Sequence, residues 1–352
     1  MLFFASLNAN YREGIIKILE NRKIYTYMRI VSKIKHIIGK RYNISRLLYG
    51  EYKLLLKELG SSDTEDSKEK FKEQLIMQAH IIEKGLSLKD TRVGFGVPKV
   101  TSLLSSTKRY YNRYKDEETL YFILSVVKSY ICFNEKQGEV NQTILEKYNE
   151  LNAFIADNEK YIHLAGGTFH VNKADILEKA SIDYEGFVKS RHGIRNFTGK
   201  LVDMNLVRKA FEIAEYTPSA CNRQPWKNYV FTSKEKIIEL LDFQTGARQF
   251  KDDIACLILV TATPNAFFGG EYHQHFVNGG LYAMNLMFAL HSMGLGTIPL
   301  NMGLEKTKDL NKHCDIKPSE VPIVLIAVGD ISDQLEVACS RRFPYTEYTI
   351  FE

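Results

Sequence analysis

The sequence predicts two folded parts: an all-helical stretch over residues 1–165, then a domain over residues 166–352 that mixes helices with short strands. Three observations predict it. Apolar residues recur at three- and four-residue spacing through most of the first part, Gly166 and Gly167 interrupt that rhythm, and short β-branched runs then alternate with amphipathic segments. The chain of 352 residues is 45% hydrophobic and 25% charged, with 8 prolines and 22 glycines, which suits globular domains and excludes disordered and collagen-like classes.

Residues 11–60 read as helical, through Ile15, Leu19, Ile30, Val31, Ile34, Ile37 and Ile38 with Lys33, Lys35, Lys40 and Arg41 interleaved. Across residues 1–60, 12 Lys and Arg face 4 Asp and Glu, so this is a basic amphipathic helix. The plainer expectation is a helix docked on the rest of the chain. The alternative is peripheral contact with an anionic membrane. A polar break at 60–68 precedes a second helix through Phe71, Leu75, Ile82 and Leu86, closed by GFGVP at 94–98. Further helices are predicted near 99–114, 117–136 and 141–161. His80 and Glu83 lie one turn apart and read as a surface pair, since a metal site needs a third ligand.

In the second part, strands are predicted at Lys227–Thr232, Ile254–Ala262 and Ile323–Val328, and helices at 203–216, 234–242, 275–293 and 305–313. The five cysteines are widely spaced and odd in number, which argues against a disulfide framework or a structural zinc. No stretch approaches the roughly 20 apolar residues of a membrane helix. The opening MLFFASLNAN lacks the positive start of a secretory signal. A cytoplasmic location is expected. There is no zinc-finger, RNP-type or P-loop pattern, so no nucleic-acid partner is expected.

The chemistry concentrates in residues 190–226. Arg191, His192 and Arg195 cluster ahead of a helix opened by Asp203, and a guanidinium fork can bond two phosphate oxygens while Gly193 lets backbone approach an anion. On residues alone, a surface ion-pair feature is the commoner reading. PSACNRQPW then stiffens a loop with two prolines and offers Asn222 and Gln224 as hydrogen-bonding groups, which suits the edge of a heteroaromatic ring as well as it suits a packed turn. His273 and His275 are expected to cap or solvate a helix start, His291 to be a packed core histidine, and Met284, Met287 and Met293 to fill core space.

RHGIRNF at 191–197, PSACNRQPW at 218–226, GGLYAMNLMFALHSMGLGTIPLN at 279–301 and SRRFP at 340–344 together resemble, in order, four motifs of the nitroreductase-like FMN-dependent oxidoreductases. The resemblance implies an α+β fold, with a central, mostly antiparallel sheet flanked by helices. It assigns Arg191, His192, Gly193 and Arg195 to FMN, with Arg195 nearest the pyrimidine side. Pro218, Ser219 and Asn222 would reach the flavin of a partner subunit. Leu300 and Asn301 would lie at flavin N5, Arg341 and Arg342 would complete the phosphate clamp, and Arg248 is a further candidate. Arg195 and Asn301 are the residues implied to act in catalysis. Gly193 departs from the serine frequent in the family, and Asn301 from the glutamate of some members.

What the resemblance implies is a homodimeric NADH- or NADPH-driven enzyme reducing a small organic acceptor, such as a nitro compound or quinone, in ping-pong turnover. No GxGxxG follows a strand, so no separate nicotinamide fold is indicated. The alternatives are other flavin chemistry on the same fold (dehydrogenation, dehalogenation or flavin cleavage), or a non-catalytic partner-binding or membrane-peripheral protein.

Overall fold

In the computed structural model, the described residues are 9–59, 67–242, 244–301, 310 and 313–352. The chain divides into two compact units, Met1–Lys57 and Glu58–Glu352. The first is essentially the long helix α1 (Ala9–Glu58). From residue 31 onward most of its side chains are exposed, Ile34, Ile37, Ile38 and Leu48 among them.

The second unit starts with four helices, α2 (Lys68–Leu86), α3 (Val97–Tyr114), α4 (Glu117–Glu135) and α5 (Gln142–Asn152). Their starts follow from capping: the Ser67, Asp116 and Asn141 side chains each accept a backbone N–H from the first turn. Phe71, Leu75, Leu103, Leu120, Ile123 and Ile144 recur at helical spacing and close one apolar core. GFGVP opens α3 instead of closing α2, because Pro98 suits a first helical turn. The helix predicted to 161 stops at Asn152. Beyond it the Asp157 carboxylate takes the N–H groups of Glu159 and Lys160, favouring a short 3-10 turn at Glu159–Leu164.

Gly166 and Gly167 then cross α4 at close range. A Cβ on Gly167 would lie 2.2 Å from Ser129 Oγ, and its φ of +115° suits only glycine. The crossing is tied down by Gly166 N–H donating to Ser125 Oγ (2.7 Å) and Gly167 N–H to Glu83 Oε1 (2.8 Å). His80 bonds the other Glu83 oxygen at 3.0 Å, so the expected pair forms, with the glutamate serving the crossing as well.

After two short helices, α6 (Lys173–Ala180) and α7 (Tyr184–Ser190), comes the sheet region, with α8 (Met204–Ala214), β1 (Trp226–Phe231), α9 (Lys234–Leu241), β2 (Cys256–Ala262), α10 (Gln274–Ser292), β3 (Gly296–Leu300) and β4 (Val321–Gly329). The sheet order is β1-β2-β4-β3, every pair antiparallel. β2 is buried along its whole length because it is central and covered on both faces. Leu257 and Leu259 with Leu325 and Ala327 face one core, containing α9. Ile258 and Val260 with Ile326 and Val328 face the other, containing α8 and α10. This is the flanked antiparallel sheet that the motifs implied.

β3 was not among the predicted strands, because Gly296 and Pro299 in GTIPL both disfavour strand conformation. Proline is tolerated here because the strand lies at the sheet edge. The helix predicted at 305–313 lies largely outside the described residues. Among the described residues no helix is long and apolar enough to cross a membrane, and no group of His, Cys, Asp or Glu could hold a metal ion.

Candidate functional site

Chain leaving α7 turns extended at Arg191 and runs beside β3. Gly193 forms a parallel bridge with Thr297, and Ile194 N–H donates to the Thr297 carbonyl at 3.0 Å. Ile194 and Phe197 are buried, at 7% and 4% exposure, so packing fixes the segment. Arg195 and His192 are left exposed and Arg191 half-exposed. Among the described residues none of the three pairs with a carboxylate, and Arg195 donates only to the Gly193 carbonyl, at 3.4 Å. At the end of β3, Leu300 is buried and Asn301 exposed. The Asn301 carbonyl accepts from Gln244 Nε2, which draws in the turn bearing the exposed Arg248. The structure thus gathers Arg191, His192, Gly193, Arg195, Arg248, Leu300 and Asn301 around one edge of the sheet.

His291 joins this edge. Ser190 Oγ lies 2.9 Å from its Nε2 and the Phe187 ring 5.1 Å away. The residue is partly exposed near the end of α10, so the expectation of a deep core histidine is corrected. Burial, reinforced by the charges of Arg191 and His192, holds its pKa below the usual value, which keeps it neutral beside the cations.

Pro218, Ser219 and Asn222 occupy the opposite side of the sheet, in the turn that enters β1. Three strand spacings, about 14 Å, separate β1 from β3. Within the chain the two motif sets stand apart. The turn is strained, with positive φ at Cys221 (51°), Asn222 (54°) and Gln224 (45°). What holds it is Arg223, only 2% exposed. Its guanidinium donates to both Glu271 oxygens (2.8 and 2.7 Å) and to the carbonyls of Ala266 (2.7 Å) and Ala220 (2.9 Å), and lies 4.6 Å from the Phe267 ring centre. Gln224 N–H to Ser219 Oγ (2.9 Å) and Ala220 N–H to Asn278 Oδ1 (2.8 Å) complete the brace. Sequence reasoning missed Arg223. The arginine stands inside the motif, but its partner lies 48 residues away with nothing in the local pattern to link them. Trp226 stacks on Tyr282 at 4.6 Å, so it serves packing.

Arg341 and Arg342 are exposed on the segment after β4, with local contacts: Arg341 over Phe343, and Arg342 donating to the Ser340 carbonyl. His273 is exposed beside Tyr272, whereas His275 is 1% exposed with Nδ1 unbonded, contrary to the expectation of a solvated helix start. Burial lowers its pKa to about 4. Met287 is buried as expected, but Met284 is 36% exposed.

A sheet flanked by helices, with unpaired cations along one edge and a braced polar turn at the other, defines an α+β domain with an anion-ready border. Residues 188–268 and 241–330 match the sequence model of the Nitroreductase family, and the C-terminal half of the chain is a nitroreductase-family domain. Over 194 residues, 45% of this chain and 94% of the relative, it is 28% identical to Spy0809 of Streptococcus pyogenes, provisionally named an NAD(P)H nitroreductase. It is 23% identical over 173 residues, 48% of this chain and 82% of the relative, to a Methanothermobacter thermautotrophicus protein provisionally named an NADH dehydrogenase/NAD(P)H nitroreductase. A crystal structure of a nitroreductase family protein from Streptococcus pneumoniae matches at 29% identity and a TM-score of 0.41, covering 48% of this chain and 100% of that one. One from Desulfovibrio desulfuricans, solved with FMN, matches at 21% identity and a TM-score of 0.44, covering 49% and 98%.

Proposed function

We propose that the chain is an FMN-dependent oxidoreductase that takes electrons from NADH or NADPH and passes them to a small organic acceptor of the nitro or quinone type. The observation that carries this reading is the row of basic side chains without carboxylate partners, Arg191, His192 and Arg195, set along β3 with Asn301 at its end. The residues fit the cofactor. Cations without carboxylate partners are ready for a phosphate. A Cβ on Gly193 would stand 3.8 Å from Ile298, so this stretch of backbone is uncrowded. The chemistry that FMN supplies when bound is hydride acceptance followed by electron release.

Arg191, with His192, would bind the phosphate, and Arg195 would place positive charge at the pyrimidine edge, where it stabilises an electron-rich ring. The backbone of Leu300 and Asn301 would orient the reactive face, with Gln244 fixing the Asn301 carbonyl. Arg248 and the late pair Arg341 and Arg342 would add charge on the phosphate side.

A homodimer completes the site, because Pro218, Ser219 and Asn222 stand on the opposite side of the sheet and would meet the flavin held by a second copy. Exposed Val277 and Leu281 on α10 and Ile176 and Leu177 on α6 offer apolar surface for that pairing. The test is an absorbance spectrum of the purified protein with anaerobic addition of each nucleotide. Flavin bands that bleach with NADH or NADPH are expected, and failure to bind added FMN would overturn the reading.

For α1, charge favours contact with an anionic membrane surface: residues 33–57 carry seven Lys and Arg against the single Glu51, alongside exposed Ile34, Ile37 and Ile38. Sedimentation with phosphatidylglycerol vesicles but not phosphatidylcholine vesicles is the expected result. Equal recovery with both would refute it.

A further inference from the structure

One cleft in the second unit is not accounted for by the flavin reading. It opens between α2, α4, the 163–166 crossing and the turn at 222–224, with a volume of about 500 Å³, the size of a small-molecule site. Ile76 and Phe122 give it an apolar patch, while Glu73, Glu118 and Thr119 stand on the polar side. Two of its polar atoms, Glu73 Oε2 and Thr119 Oγ1, are withdrawn from solvent and have no hydrogen-bond partner. Unpaired buried polar atoms are costly, and two lining one space invite a ligand that satisfies both.

We infer that this cleft binds a small organic ammonium ion, held by the carboxylate of Glu73 with Thr119 and Glu118 accepting its remaining N–H groups. An ammonium group carries three donors and no acceptor, which matches a wall of oxygen acceptors, and a short carbon chain would lie on Ile76 and Phe122.

The charges facing Glu73 come from several elements. Lys72 also lines the cleft and, with Arg223, pulls on the Glu73 carboxyl, though burial outweighs both. Arg223 is neutralised by Glu271. Glu83 is occupied by His80 and Gly167, which leaves Glu118 and the titratable His163 on the remaining wall. An anionic ligand would meet carboxyl groups, and a purely apolar one would leave both oxygens unpaired. Burial raises the pKa of Glu73 to about 7 against the pull of Lys72 and Arg223, so the empty cleft holds a proton there in mildly acidic solution, and a bound ammonium would displace it. The inference does not depend on the flavin.

The test is calorimetric titration of the full chain with 1,4-diaminobutane, and with 1,4-butanediol as the uncharged isostere, in two buffers of different ionisation enthalpy. Saturable diamine binding is expected, at least about tenfold tighter than the diol, with proton release at about pH 6 that fades by about pH 8.5. Glu73→Gln keeps the shape of the side chain and is expected to weaken the diamine at least about tenfold and abolish the proton release. Glu118→Gln, in case the first variant folds poorly, is expected to weaken binding while leaving the proton release intact. The exposed Glu185→Gln on α7 is expected to change nothing. No saturable binding, equal affinity for diol and diamine, or undiminished binding in both Glu73→Gln and Glu118→Gln would overturn the assignment.

Discussion

Arg223 braces a turn with three left-handed non-glycine residues. Arg223→Ala leaves Glu271 and two carbonyls without their donor, and a loss of about 3 kcal/mol is expected in urea unfolding. The Arg223 hydrogen bond holds the Glu271 carboxyl below its ordinary value of 4.5. Its contribution is therefore complete above that value and fades as pH falls further, so the stability advantage of the wild type over Glu271→Gln should shrink as pH is lowered from 4.5. His275 and Glu73 act with opposite signs. The folded pKa of His275 lies near 4 against 6.5 in the unfolded chain, so stability declines as pH falls between those values. The folded pKa of Glu73 lies near 7 against 4.5, so stability declines as pH rises from 4.5 to 7. Glu73→Gln should remove that second decline, raising stability at pH 8 by up to roughly 3 kcal/mol in chemical unfolding.

At the level of elements, α2 to α4 were legible because their buried residues keep a helical period and their starts carry Ser, Asp or a proline. β2 and β4 were legible as β-branched runs. β3 was not, since Pro299 breaks the strand pattern and only its position at the border allows it. The cationic segment at 191–197 could be read from residue type, but the Glu73 cleft could not, because it is assembled from α2, α4 and two distant turns. The Gly166–Gly167 crossing is a tight junction between elements. Gly167→Ala should cost about 2 kcal/mol or more, from a clash with Ser129 together with a disfavoured φ, read as a lowered midpoint of thermal unfolding.

For the molecule as a whole, the sequence expectation set a boundary at 165/166, while the compact division falls at 57/58 and the helices α2 to α5 share a unit with the sheet. Composition could not reveal this, because those helices keep an apolar core of their own and look self-sufficient in one dimension. Cofactor linkage acts at the same scale. A ligand that binds only the folded state stabilises it, so FMN at about 100 times its Kd should add about 2.7 kcal/mol, and Arg195→Ala should reduce that gain in a thermal-shift titration.

The outer strand β3 has one more consequence. Thr297 turns its carbonyl outward to Ile194, so by the two-residue period of a strand Pro299 faces outward as well, where it has no N–H to offer. With Gly193 seated on the neighbouring outward position at Thr297, this margin is blunted against recruitment into aggregates. Pro299→Thr would restore a hydrogen-bond donor there, and heated samples should scatter more light than the wild type.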